Sequence, residues 1–286
     1  AELRGARLVA GAVYRREFPV YPGSDAHEGD LRDIAEHWLE GAVGSDEIAV
    51  EKRTIRATSP ARGLHELAEA IGAEFIVVGS THRASTGRVH PGSVGERLLQ
   101  ESPCAVAVAP RGYASSQSDR LRVLAVGYDL TEESEAALEL AAEVAAAAEG
   151  TLRILTVDES RTERYADLLS GALVASPPRE ARERLRMIIL RKRDSLPVEL
   201  RAHAQILHGV PAAQLLKQLE VGVDLMVMGS RGYGTVGRAL LGSVAADVVR
   251  AAPCPVVIVP RAVARGAHST SPGPARGADS YFDRAH

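Results

Sequence analysis

Aromatic residues are scarce in this chain. Phe, Trp and Tyr together make up 4% of its 286 residues, and Trp38 is the one tryptophan. A base-stacking platform for nucleic acid needs such rings, so the composition argues against that partner. The formal net charge of −3 also lacks the positive excess of a polyanion-binding surface. Cysteine is nearly absent: Cys104 and Cys254 each follow a proline and open an apolar stretch. Such a residue reads as a small buried hydrophobe rather than half of a disulfide or a metal pair, which suits a reducing, cytoplasmic setting. No apolar run approaches membrane-spanning length, and no basic n-region followed by an apolar h-region opens the chain. A membrane partner is therefore not expected.

What the chain does have is a soluble balance, 45% hydrophobic and 25% charged, over a length that suits two domains. A gapless internal echo makes the same point. Gly79, Ser80, Gly87, Arg88, Gly92, Ser93, Pro103, Cys104 and Arg111 recur as Gly229, Ser230, Gly237, Arg238, Gly242, Ser243, Pro253, Cys254 and Arg261. A duplication of this kind fixes two related units, and what repeats is a glycine-rich loop that ends at a helix start.

The second unit has the clearer pattern. Apolar runs at 121–127, 151–157, 223–228 and 255–260 predict buried strands, and 198–207 alternates as a strand does. Helices are predicted over 132–148, with Thr131 as N-cap and Gly150 as stop, over 179–193, from Pro211 to about Glu220, and over 244–251. Strands alternating with helices predict a parallel sheet covered on both faces. In the first unit the pattern predicts strands at 6–13, 48–57 and 74–78 and helices at 31–40 and 63–71. Nothing there matches the first strand and most of the first helix of the second unit, so the first domain is expected to be incomplete at its N-terminus. The expected division is a first domain over 1–112, a polar linker over 113–120, a second domain over 121–262, and a disordered Gly-, Pro- and Ser-rich tail over 263–286.

The loop after strand 223–228 runs Gly229-x2-Gly232-x9-Gly242-Ser243. Glycines allow close backbone approach, successive N–H groups can form an anion nest, and a helix start adds unpaired donors with partial positive charge. Ser230, Thr235 and Ser243, with Arg231 or Arg238, can add donors, so the loop has the make-up of a polyphosphate cradle. Gly232-Tyr-Gly234-Thr-Val-Gly237 also satisfies G-x-G-x-x-G, but it follows a late strand and lacks the acidic residue that a dinucleotide site requires. Arg238-Ala239 stands where a P-loop has Lys-Ser/Thr.

The spacing of these glycines, with Ser243 and the last apolar strand, resembles the ATP-binding motif of the universal stress protein family. The resemblance covers nearly the whole chain apart from the tail, as two tandem domains. It implies an α/β fold of two flavodoxin-like, Rossmann-like domains with parallel sheets of order 3-2-1-4-5. It further implies that Asp129 contacts the adenosine, that the Val157 backbone pairs with the adenine ring, and that Gly229, Arg231, Gly232, Gly242, Ser243 and Val244 hold the phosphates of ATP, with or without Mg²⁺. An Asp in a turn after a strand is also a common Asx-turn residue, which is the competing reading of Asp129. The family's final strands pair between domains or subunits. Here that implies an intramolecular pseudo-dimer, with a homodimer through edge strands as a further expectation. The first unit departs from the motif, with His82 in place of the second glycine and Pro91 before Gly92, and one competent site, in the second unit, is expected.

The loop 229–243 contains no Asp, Glu or His to orient a water. The expected function is therefore adenine-nucleotide binding in a stress-response or regulatory role, with at most a weak ATPase activity. The alternatives are a nucleotide-free interaction module and a weak ATP-hydrolysing enzyme.

Overall fold

The computed structural model describes residues 5–15, 25–42, 49–115, 121–159, 179–230 and 241–260. The expectations on Arg231, Gly232, Thr235 and Arg238, and on a disordered tail, lie outside the described residues. The elements are β1 (Leu8–Arg15), α1 (Asp25–Ala42), β2 (Val50–Ala57), α2 (Pro60–Ile71), β3 (Phe75–Gly79), α3 (Gly92–Glu101) and β4 (Ala105–Ala109) in the first unit. The second unit contributes β5 (Val123–Gly127), α4 (Glu132–Ala147), β6 (Thr151–Asp158), α5 (Arg179–Asp194), β7 (His203–His208), α6 (Pro211–Leu219), β8 (Leu225–Gly229), α7 (Ser243–Ala251) and β9 (Val256–Val259).

The second unit forms a parallel sheet in the spatial order β9-β8-β5-β6-β7, which is the expected 3-2-1-4-5 arrangement. Its central strand, β5, is apolar throughout because both of its faces are covered. Leu124 and Val126 face one core with Ala137 and Ala141 of α4 and Ile189 of α5. Ala125 faces the other core with Leu215 of α6 and Val248 of α7. The start of β5 is clamped from β8's side, where the Asp224 carboxylate accepts from the N–H groups of Arg122 and Val123, both at 2.8 Å.

The two units join through their last strands. β4 and β9 pair antiparallel, with Val106 opposite Ile258, Ala107 opposite Val257 and Val108 opposite Val256. This gives one seven-stranded sheet of order β3-β4-β9-β8-β5-β6-β7. The strands β4 and β9, which would be edges in isolated units, are thus interior. The remaining strands, β1 and β2, pair in parallel as a separate two-stranded sheet.

Local chemistry explains several boundaries that hydrophobic periodicity places differently. α2 begins at Pro60 rather than 63, because Ser59 accepts from the Arg62 N–H and Pro60 supplies a preset φ for the first turn. The alternation over 198–207 is not one strand. Val198–Leu200 is a 3-10 turn after Pro197, Arg201 turns with φ +44, and β7 starts only at His203. The end of α4 is also differently built. The positive φ falls on Glu149, while Gly150 serves a close approach, since a Cβ there would lie 2.8 Å from the Leu121 carbonyl oxygen.

Candidate functional site

The site is built where β5 and β8 end side by side. Tyr128, the residue after β5, is fixed on three sides. Its N–H donates to the Leu155 carbonyl at 2.9 Å, and its carbonyl accepts from Thr156 Oγ1 at 2.7 Å. Its hydroxyl donates to Glu135 of α4, which also pairs with Lys192 of α5. Asp129 follows. Its Oδ1 accepts from the Thr131 N–H at 3.2 Å and from Thr131 Oγ1 at 2.5 Å, and its own N–H donates to Ser134 Oγ at 3.3 Å. One carboxylate oxygen is therefore engaged in an Asx turn. Thr131 caps α4 as its spacing predicts, accepting from the Ser134 N–H at 3.2 Å.

Between Asp129 and Thr131, Leu130 takes φ +69. A left-handed leucine costs about 1–2 kcal/mol, and such strain persists only where surrounding bonds over-determine the turn. The bonds around Asp129, Thr131 and Ser134 do so here. Sequence reasoning missed Leu130, Ser134 and the Tyr128–Glu135–Lys192 chain. The Thr131-x-x-Ser134 spacing was the one available signal.

Gly229 ends β8 against the same helix turn. A Cβ at Gly229 would lie 2.8 Å from the Glu133 carbonyl carbon and 2.9 Å from its oxygen, so only glycine lets β8 and α4 approach this closely. Ser230 is buried, its N–H donating to the Val259 carbonyl at 2.9 Å and its own carbonyl accepting from the Gly242 N–H at 2.7 Å. Ser230 and Gly242 are thus hydrogen-bonded neighbours, and α7 starts beside them. Gly242 is extended and α7 has no side-chain cap; the Ala246 N–H donates to the Gly242 carbonyl at 2.9 Å. The Ser243, Val244 and Ala245 N–H groups precede that bond, in the turn that has no intrahelical acceptors. Ser243 is exposed, and Val244 is half-buried against the core.

Val157 lies on β6 opposite Leu207 of β7. Strand alternation puts its backbone N–H and C=O on the same side of β6 as those of Leu155, toward the point where the chain leaves β5. Asp129, Val157, Gly229, Gly242, Ser243 and Val244 therefore share the C-terminal edge of the sheet at its switch point, where α4 and α7 lie on opposite faces. Open α/β sheets bind ligands in such crevices.

The corresponding loop of the first unit runs from Gly79 to Gly92 and is described throughout. Several of its backbone donors are engaged, within the loop or by carbonyls at the end of β4 and just after it. Ser80 donates to Ala109, Thr81 to His90, Ala84 to Thr81, Gly87 to Arg111 and Arg88 to Ser85. Val89, fully buried, donates across the unit boundary to the Ala252 carbonyl at 2.9 Å. Arg88 reaches Glu220 at 2.5 Å and the Ala251 carbonyl at 3.3 Å. His82 is exposed. N–H groups already paired with carbonyls in this way offer little to an anion.

The cysteines do not belong to the site. Burial raises the Cys104 thiol pKa, and burial together with the Asp224 charge pushes that of Cys254 up to about 12. Both are free and buried, as inert structural thiols are. No group of three or more His, Cys, Asp or Glu side chains is placed to hold a metal among the described residues. No described helix is long and apolar enough to cross a membrane.

A duplicated, mostly parallel α/β unit with glycines Gly229 and Gly242 at the switch point defines a doubly wound, flavodoxin-like class of fold. Comparison with known proteins gives the family. The sequence profile of the Universal stress protein family matches twice, over residues 4–110 and 121–260. A universal stress protein of Mycobacterium tuberculosis is 29% identical over 234 residues, spanning 79% of this chain and 77% of that protein. One from Thermus aquaticus is 40% identical over 82 residues, 24% of this chain and 60% of that protein. The crystal structure of a universal stress protein from Archaeoglobus fulgidus superposes with a TM-score of 0.65 at 25% identity, covering 91% of this chain and 90% of that one. The chain belongs to the universal stress protein family.

Proposed function

We propose that this chain is an adenine-nucleotide-binding regulatory protein of the cytoplasm, acting in a stress response, with ATP held by the second domain. The single observation that supports this most is the convergence of Asp129 and the uncapped start of α7 on one crevice, with Gly229 between them. The residues fit such a ligand. The first-turn N–H groups of α7 and the Ser243 hydroxyl suit a phosphate, and the Val157 backbone suits the edge of a purine. Arg231 and Gly232 complete the phosphate contacts in this reading. Mg²⁺, where present, is carried by the phosphates rather than by a protein cage. Among the described residues at the crevice, Asp129 is the one carboxylate suggested for contact, and it stands at the adenosine end. Binding without efficient turnover, at most a weak ATPase activity, is the outcome. The output is then control of partner interactions, with the proposed division at 1–112, 113–120 and 121–262 and homodimerisation through remaining edges.

Titration calorimetry with ATP and mass spectrometry of ligand released from purified protein test this. Gly232→His, which copies His82, should abolish binding, and Asp129→Ala should weaken it. Absence of both co-purified nucleotide and calorimetric binding would sink the proposal. The second reading, an interaction module without nucleotide, is favoured for the first unit alone by the carbonyl-paired amides of Ser80, Thr81, Gly87 and Arg88.

A further inference from the structure

α5 carries an outward stripe that is part charged and part apolar. Spacings of three and four residues place Glu180, Arg184, Met187, Ile188 and Arg191 along one face of the helix. Each of them is exposed, Met187 by 44% and Ile188 by 45%. Other cations of α5 are engaged, Arg182 with Asp158, Lys192 with Glu135 and Arg193 with Asp194. Arg184 and Arg191 have no ion-pair partner among the described residues. From the start of the helix the stripe therefore runs acid, base, two apolar residues, base.

The complementary order stands in the segment Asp279-Ser280-Tyr281-Phe282-Asp283-Arg284. Taken from Arg284 back to Asp279 it runs base, acid, two aromatic residues, acid. The lengths agree as well. Glu180 to Arg191 spans about 16 Å at about 1.5 Å per helical residue. Arg284 to Asp279 spans about 16 Å at about 3.3 Å per extended residue. Strand alternation puts Asp279, Tyr281 and Asp283 on one side, so two carboxylates bracket a ring as Arg184 and Arg191 bracket Met187 and Ile188. The reach also fits. Residues 261–278, rich in Ala, Gly, Ser and Pro, separate β9 from the segment by 18 residues. A chain of that length and composition has an r.m.s. span of about 21–25 Å. α5 packs on β7, which lies four strands from β9, or about 20 Å at the usual strand spacing. A tether whose span matches the separation gives the highest effective concentration.

We propose that the outer face of α5 is the docking surface for this chain's own segment 279–284, laid antiparallel along the helix. Asp279 meets Arg191, Asp283 meets Arg184 and Arg284 meets Glu180, while Tyr281 and Phe282 cover Met187 and Ile188. Charge selects this helix. The exposed apolar pair of α1, Ile34 and Trp38, is flanked by exposed Asp33 and Glu40, which repel an acidic segment. Each surface ion pair contributes little alone. The aromatic cover over two exposed apolar side chains, and the tether that makes docking intramolecular, supply the rest.

Disulfide trapping in the full chain tests this. Ser195→Cys with Ala278→Cys puts thiols just past the paired stretches and leaves both motifs intact, and the native Cys104 and Cys254 are buried. The control joins Ala278→Cys to Asp247→Cys, an exposed position of α7 on the other face of the sheet. The intrachain disulfide should form severalfold faster for 195 with 278 than for 247 with 278, and the excess should shrink at high salt. Asp279→Arg with Asp283→Arg should abolish the excess, and adding Arg184→Asp with Arg191→Asp should restore it. A readout without cross-linking is the Met187 methyl resonance. It should carry a ring-current shift that Tyr281→Ser with Phe282→Ser removes, while the buried Met226 and Met228 stay unmoved. Equal trapping rates, a charge swap that restores nothing, or a Met187 resonance indifferent to the two rings each overturns the proposal. So does a disulfide between chains that disappears on dilution, which would assign the segment to a second copy.

Discussion

Replacing Gly229 by alanine, beside the matched replacement of Gly79, isolates what the α4 approach demands of the site. The added methyl at 229 would sit 2.8 Å from the Cβ and carbonyl carbon of Glu133 and 2.9 Å from the Glu133 oxygen. These are largely backbone atoms of a packed helix turn, so relief requires α4 or β8 to shift. Overpacking of that kind costs about 1–3 kcal/mol. The smaller unfolded-state entropy of alanine returns about 0.4–1 kcal/mol. The net expectation for Gly229→Ala is a loss of roughly 1–2 kcal/mol, or about 2–8 °C in Tm for domains of this size. Gly79→Ala meets nothing within 4 Å and should be neutral or stabilising by up to about 1 kcal/mol. Thermal unfolding followed by far-UV circular dichroism reads both. Equal losses at the two positions, or no loss at Gly229, would refute the argument that α4 sets the requirement for glycine there. Because the same helix turn holds Asp129 through Ser134 and Thr131, Gly229→Ala should also weaken the proposed ATP binding, by calorimetry, while Gly79→Ala leaves it unchanged.

Three further outcomes are expected. Asp224→Ala strips the acceptor from two backbone N–H groups at the start of β5 and should cost about 2–3 kcal/mol in urea unfolding, with Asp224→Asn recovering part. The Cys254 thiol, its pKa pushed up to about 12, should resist alkylation in the native protein at pH 8–9 and react once urea unfolds it. The sign of its linkage follows: its contribution to stability is intact below the unfolded thiol's pKa, about 8.5, and is lost as pH rises toward the folded value, so Cys254→Ala should flatten the alkaline loss of stability. Arg88→Ala removes a half-exposed pair with Glu220 and a bond to the Ala251 carbonyl across the unit boundary. It should cost no more than about 1 kcal/mol, and less at high salt, measured by denaturant midpoints at two ionic strengths.

Much of the fold was legible because its signals are local. The apolar runs at β5, β8 and β9 announce strands buried on both faces, and Thr131 announces the start of α4. The glycine echo announces two units and the end of the sheet at which their loops gather. Where prediction and structure part, a second local signal competed with hydrophobic periodicity. Ser59-Pro60 started α2 early, and Pro197 with a left-handed Arg201 divided the apparent strand at 198–207.

The sequence by itself determined the alternation of strands and helices and the duplication, since each depends on the order and spacing of side chains along the chain. Only the tertiary structure decided the rest, because contacts between distant segments carry no marker in local sequence. It made β4 and β9 interior partners in one seven-stranded sheet. It engaged one oxygen of Asp129 in an Asx turn held by a strained Leu130. It paired several of the first loop's amides with carbonyls of that loop, of Ala109 and Arg111, and of the neighbouring unit. It also separated the two matched glycines, Gly229 pressed against a helix backbone and Gly79 facing open space, a difference that no spacing of glycines along the chain can express.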